Sequence, residues 1–400
     1  MGDLVIRHGR VLTPGGWRTQ DLTIIDGLVS GDPPPPGCPE LNATGRLVVP
    51  GLIDLHAHVY YGGARLGINP DKVSATSGVT TWVDAGTSGA GNFEGLLIHV
   101  KQRAKSRIVP FINMSVLGLT SIGMPTRDVG ELWNPAFGDS LALLRAAREF
   151  PGEIRGIKLR ASYNALGDSG PSIFPQARYV ADELAVPLMV HLGMAPPTIG
   201  EVCQYVREGD ILTHCFNGHP GGRITDRAGR VRAEVREAVD RGVHLDVGHG
   251  LASMSYDVAR KALDLGLVPD SLSSDLHAES LGVRVRSILT VMELFLEFGL
   301  SLEEVFDRVT ARPADIIREP NIGRLAPGRA GDVAVLSLED RPSVRQDTNG
   351  SRITVRKQVV HHATVIDGQV LQPVVDGRQE TRASTWTARF GADPDLAAQT

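Results

Sequence analysis

From Leu52 onward the chain alternates short, nearly unbroken apolar runs with longer segments whose apolar positions recur every three or four residues. The runs fall at 52–58, 79–85, 107–116, 154–161, 187–193, 211–216, 243–249 and 271–277; the helical pattern falls at 92–105, 139–149, 171–184, 228–240, 255–265 and 284–298. A strand covered on both faces reads as an apolar run, whereas a helix lying on a sheet shows a stripe of period 3.6. Their alternation predicts βαβ units around a parallel sheet, an α/β fold. Eight runs within roughly 250 residues fit a closed (β/α)8 TIM barrel over 51–318 better than an open doubly wound sheet, since no supporting G-x-G-x-x-G follows the first run.

The two ends of the chain have a different texture. Residues 1–50 hold short strand-like segments, Leu4-Val5-Ile6, Arg10-Val11-Leu12 and Leu22-Thr23-Ile24-Ile25, with Asp26-Gly27 as a hairpin signal and an exposed loop at the prolines of 33–36. After a helical stretch at 301–310, residues 319–377 return to that texture at 323–325, 331–336, 353–355 and 364–368. The ends are therefore expected to combine into one small β-sandwich beside the barrel. Residues 378–400 form a polar, aperiodic tail with Trp386 and Phe390 as anchors. The Gly- and Pro-rich stretch 117–138, with Trp133 and Phe137, is a long connection expected to act as a lid.

Composition narrows the class of partner. With 42% hydrophobic and 22% charged residues the chain is an ordinary globular protein with ample core. A formal net charge of −5 and the lack of a basic cluster argue against nucleic acid and anionic membrane, both of which need a Lys/Arg-rich face. A small-molecule substrate is expected, along with further copies of the chain in a homo-oligomer. No run approaches the ~20 apolar residues of a membrane span, and Met1-Gly2-Asp3-Leu4 leads into a strand without a basic-then-apolar leader, so a cytoplasmic location is expected. Three cysteines, Cys38, Cys203 and Cys215, contain no C-x-x-C pair and supply neither a disulfide framework nor a thiolate metal site.

Candidate chemistry lies where the apolar runs are broken. His56 and His58 are two apart on the first run, so both imidazoles face one side of a strand and can meet one ion. Catalytic groups of such barrels sit at the C-terminal ends of strands. Lys158, His191, His214 and Asp275 all fall late in their runs. Lys158 and Arg160 share a face, and two cations beside dications would repel strongly in a site of lowered dielectric. Conversion of the lysine to an anionic carbamate removes that conflict.

The segment Val49-Pro50-Gly51-Leu52-Ile53-Asp54-Leu55-His56-Ala57-His58, followed in order by Lys158, His191, His214 and Asp275, resembles the amidohydrolase superfamily in its binuclear form. Gly156-Ile157-Lys158-Leu159-Arg160-Ala161-Ser162, Thr213-His214-Cys215-Phe216-Asn217-Gly218 and Ser274-Asp275-Leu276-His277 further resemble its acetyl-mandelate-type deacetylase and esterase group, which is dihydroorotase-like. The resemblance implies that His56, His58 and Asp275 hold one Zn2+, with other divalent transition metals as substitutes. His191 and His214 would hold the second, and carbamylated Lys158 would bridge the two. It implies hydrolytic deacylation, with Asp275 as the base that takes the proton of the attacking water. Two zinc ions against the carbamate, Asp275 and a bridging hydroxide leave one positive charge, which favours an anionic substrate. Arg160 is the candidate carboxylate anchor; Tyr60, Asn217 and His277 are candidate substrate contacts, with Tyr61, His219 and the turn His249-Gly250 nearby. A mononuclear deaminase would want a glutamate where Met194 stands. Cyclic-amide hydrolysis is an alternative with the same metals, and a non-catalytic assembly protein would have eroded ligands, whereas here the set is complete.

Overall fold

The computed structural model describes residues 2–122 and 129–374. The tail with Trp386 and Phe390, and part of the 117–138 connection, lie outside them. Seven parallel strands, Leu52–Ala57, Val79–Ala85, Arg107–Asn113, Gly156–Ala161, Leu188–Leu192, Ile211–Thr213 and His244–Asp246, pair in chain order. The eighth run, at 271–277, is not a regular strand. It closes the ring through two bridges, Ser271 to Asp246 and Leu276 to Ala57. Serines at 271, 273 and 274 and a left-handed Asp275 (φ 47°) break the ladder that a purely apolar run would have made. Helices cover the outside, several started by side-chain caps: Asp139 for Ser140–Glu149, Ser255 for Tyr256–Asp264 and Ser301 for Leu302–Asp307.

The first strand carries a bulge that sets the chemistry. Its register against the second strand shifts by one residue between Asp54 and Ala57. Ile53 and Leu55 pack with Val83, Phe111, Met189 and Ile211, whereas Ala57 packs with the larger cluster that includes the helices. An inserted residue switches which side of a strand faces inward. Strict alternation would have put Asp54 on the face of His56 and His58. Instead Asp54 turns to the eighth segment, accepting the Ser274 N–H at 3.0 Å, and the two histidines take the inward positions above the apolar floor.

The chain ends meet as one connected sheet of eight strands. Leu47–Pro50 joins the halves, pairing parallel with Leu4–Thr13 and antiparallel with Val333–Gln346. Leu4, Ile6, Val11, Ile24, Val48, Val333, Val335 and Val365 form its apolar core. The segments read as separate short strands near 353 and 364 fuse into Arg352–Ile366, which pairs with Val333–Gln346 in a long hairpin. Its charged outer positions hide the strand pattern in the sequence. Among the described residues no helix is long and apolar enough to cross a membrane.

The tip of this hairpin rests on the loops after the seventh and eighth strands. Buried Asp347 accepts the N–H of Tyr256 at 2.9 Å and those of Asn349 and Ser351 at 2.9 and 2.8 Å. The Thr348 N–H donates to Met254 O, and Arg284 donates to Asp347 O. Asp347→Ala should therefore free the seventh loop: the Tyr256 amide should exchange at least about tenfold faster in hydrogen–deuterium exchange, the loss of roughly 1.5–3 kcal/mol for hydrogen bonds to a charged acceptor, while amides of Val79–Ala85 keep their protection. Unchanged exchange at Tyr256 would mean the tip does not restrain the loop.

Candidate metal centre and active site

The six candidate ligands converge at the C-terminal mouth of the barrel. His56 Nε2 lies 3.4 Å from Asp275 Oδ1 and 3.0 Å from Lys158 Nζ, and His58 Nε2 lies 3.1 Å from the same Asp275 oxygen. The rings of His56 and His214 are 4.9 Å apart, and those of His191 and His214 are 4.2 Å apart. Ligand atoms of His56, His214 and Asp275 all fall within 4.8 Å of one another. All but His191 are buried.

Hydrogen bonds behind the imidazoles decide what they present. Thr213 donates its hydroxyl hydrogen to Asp246 Oδ2 at 2.6 Å, so towards His56 Nδ1, 2.7 Å away, it can only accept. His56 thus carries its proton on Nδ1 and turns a bare Nε2 lone pair inward. His58 Nδ1 lies 2.9 Å from Thr87 Oγ1, and Thr87 is held in place by its backbone N–H, which donates to Asp84 Oδ1 at 2.8 Å. His214 Nδ1 lies 2.6 Å from the carbonyl of Gly248, which can only accept. His56 and His214 therefore have their tautomer fixed with the Nε2 lone pair turned inward, the state in which histidine binds a metal. Together with Asp275 and the buried Lys158, this donor set fits divalent cations of the zinc type.

Two of the candidate ligands sit on strained backbone. His214 (φ 64°) and Asp275 (φ 47°) both adopt the left-handed region that non-glycine residues avoid, at a cost of order 1–3 kcal/mol each. Local bonds hold them there. Asn217 Nδ2 donates to His214 O at 2.9 Å, and the Asp275 N–H donates to His56 O at 2.7 Å. Gly250 packs so closely on the Asp275 carboxylate that a Cβ there would collide with it.

Burial governs the charges. It drives the His214 imidazole down to about 3, and it holds those of His56 and His191 well below the usual range, aided by Lys158 and by neighbouring imidazoles. It also pushes the Lys158 ammonium down to about 8. Burial acts to raise the Asp275 carboxyl, but attraction to His56, His58 and His214 outweighs it and holds the group low. Burial and mutual repulsion both favour neutral imidazoles at His56, His191 and His214.

The candidate substrate contacts divide. Arg160 faces the mouth beside Lys158, but its Nη1 is paired to Glu131 Oε2 at 2.5 Å, so it is not a free cation. Tyr60 is not a site residue: its ring is buried in the core and its hydroxyl donates to Asn92 O at 3.1 Å. Asn217 is also committed elsewhere, donating to His214 O and Gly222 O while accepting the His219 N–H. Asn217 builds the turn that carries His214, whereas Tyr60 packs the core behind the site. His277 lies beside the candidate ligands, its ring 6.2 Å from that of His58, with Nδ1 accepting the Glu279 N–H so that Nε2 carries the hydrogen. His249 is buried, its Nδ1 donating to Gly250 O at 3.0 Å.

Thr87, Thr213, Asp84, Asp246 and Glu131 escaped the sequence reading. Asp84 and Asp246 had a usable signal, an acid inside an otherwise apolar strand. The threonines had none, because β-branched residues belong in strands anyway, and Glu131 lies in an irregular connection.

With this geometry in place, similarity to known proteins is informative. The model of the Amidohydrolase family matches residues 47–377. A deacetylase of Agrobacterium fabrum is 34% identical over 83% of this chain and 80% of its own length. A deacetylase of Enterococcus faecalis is 30% identical over 82% of this chain and 87% of its own. The crystal structure of a dihydroorotase superposes with a TM-score of 0.84 at 30% identity, covering 93% of this chain and 98% of that one. That of an adenine deaminase gives 0.85 at 29% identity, covering 92% and 99%.

Lys158 gives a pH signature in the metal-free protein. Its pKa is about 8 in the fold against 10.5 for the free group, so the buried ammonium destabilises the fold by about 3 kcal/mol below pH 8. That penalty fades as pH rises from 8 to 10.5, because there the unfolded chain binds the extra proton. Denaturant midpoints measured across this window should rise for the wild type more than for Lys158→Met. Parallel curves would show that burial does not depress this lysine.

Proposed function

This chain belongs to the amidohydrolase family, and we propose that within it the protein is a two-zinc deacylase acting on a small carboxylate-bearing ester or amide, such as an O-acetyl hydroxy acid or an N-acyl amino acid. The convergence of His56, His58, Lys158, His191, His214 and Asp275, with inward Nε2 lone pairs fixed from behind, carries this conclusion. The relatives named deacetylases, at 30–34% identity, support deacylation in particular. The likeness to the dihydroorotase structure supports cyclic-amide hydrolysis as a second reading, with the same residues. A cytoplasmic homo-oligomer completes the proposal.

His56, His58 and Asp275 would hold one zinc, His191 and His214 the other. The metals, when bound, supply Lewis acidity that brings a water to a pKa of about 7 and polarises the acyl carbonyl. Lys158 would join this set as a carbamate: its neutral amine nitrogen would bond to the carbon of CO2 as one proton leaves to solvent, which turns a cation into an anionic oxygen ligand. With a pKa near 8 the neutral amine is accessible at physiological pH, whereas an ordinary lysine is almost wholly protonated. Asp275 accepts the proton of the attacking water and passes it to the departing oxygen or nitrogen, so the acyl–heteroatom bond breaks without an unprotonated leaving group. Arg160 takes the substrate carboxylate through the N–H groups that Glu131 does not use.

Purified protein should contain close to two equivalents of zinc, measured by elemental analysis; full esterase activity in metal-free protein would overturn the assignment. Asp275→Asn should lower turnover by roughly 10³-fold and retain most of the metal, whereas unchanged turnover removes Asp275 as the base. A screen of O-acyl hydroxy acids, N-acyl amino acids of both configurations and cyclic amides separates the two substrate readings.

A further inference from the structure

We infer that Glu131 is a positioning residue for substrate recognition: it fixes the guanidinium of Arg160 so that the remaining N–H edge meets the substrate carboxylate. The inference rests on the reading of Arg160 as the carboxylate anchor. Arg160 lies two residues beyond Lys158 on the same face of Gly156–Ala161 and is in register with His191 on the neighbouring strand, which places it beside the reacting centre. Its side chain is 18% exposed, while that of Glu131 is 1% exposed.

Both carboxylate oxygens and the backbone carbonyl of Glu131 are tied down. Oε1 accepts from Asn113 Nδ2 at 2.9 Å, Oε2 accepts from Arg160 Nη1, and the backbone carbonyl accepts the Ser115 hydroxyl at 2.8 Å. Asn113 is itself fixed, donating to Gly86 O at 3.0 Å and accepting the Ser115 N–H at 2.8 Å. The ends of the second, third and fourth strands thus converge on one guanidinium. A partly exposed arginine does not need a buried carboxylate to be soluble, and burying that carboxylate is costly. What the arrangement supplies is direction. A free arginine holds many rotamers and loses that entropy on binding; a clamped one has lost it already.

The consequence is a change in how an anion is recognised. The Arg160–Glu131 pair carries no net charge, so preference for a carboxylate comes from two directed N–H donors rather than from a bare cation.

The test uses zinc-loaded full-length enzyme and two substrates: the O-acyl hydroxy acid turned over best in the screen, and its neutral primary amide. The ratio of kcat/KM for acid over amide should fall tenfold or more in Glu131→Ala, with the fall residing in KM for the acid. Glu131→Gln, which keeps an acceptor for Nη1, should recover part of it. Equal losses on both substrates would mark Glu131 as merely structural, and a lower KM for the acid would mean that an uncompensated cation binds better; either overturns the proposal. Arg160→Gln separates the two layers. An unchanged ratio there removes Arg160 as the anchor, whereas a ratio that falls with Arg160→Gln but not with either Glu131 variant removes only Glu131.

Discussion

The structure depends on one constraint: the barrel mouth must bury several ligand-type side chains while leaving their metal-facing atoms bare. An unpaired buried polar atom is costly, so each imidazole has to be satisfied on the side away from the site. The His56–Thr213–Asp246 relay and the Gly248 carbonyl behind His214 do this, and the Thr87 hydroxyl lies behind His58. Asp246 also accepts from Ser271 and Ser273 on the eighth segment. That segment is irregular for the same reason that it is useful: its serines serve Asp246 and Asp54, and its Asp275 faces the histidines. A regular strand of apolar residues would have closed the barrel more neatly and left the relay without partners.

The sheet formed by the chain ends bears on the same constraint. Pro50 leaves it and, across Gly51, becomes the first barrel strand, so the strand bearing His56 and His58 is anchored at its base by Val333–Gln346. At the far end the hairpin tip holds the seventh loop, whose Gly248 carbonyl orients His214 and whose Gly250 backs Asp275. Elements remote in sequence therefore fix both the floor and the rim of one site.

The apolar runs made the barrel legible, because strands buried on two faces leave little choice of residue. Ligand-type residues within those runs were legible for the converse reason: His56, Lys158 and Asp275 are misfits in a purely apolar strand. The bulge between Asp54 and Ala57 was not, since an extra residue in one strand is defined only by the register of its neighbour. Tyr60 and Asn217 misled because proximity to a ligand in sequence says nothing of whether a side chain builds the turn or faces the substrate. Glu131 was hidden in an irregular connection, where its burial depends on Arg160 and Asn113, 29 and 18 residues away.

Charge accounting changes most once these partners are known. A single positive charge left on the metal site, beside a free arginine, would make a cationic mouth that draws in any anion. With the histidines neutral and Arg160 matched by Glu131, the protein contributes little net positive charge of its own. Excess charge in a site of low dielectric attracts anions at long range but does not distinguish one carboxylate from another. A fixed pair of N–H donors does distinguish them, because it demands a carboxylate at one distance and angle from the hydrolysed bond. Selectivity in such a site resides in position, and the residues that decide it are those that hold Arg160 still.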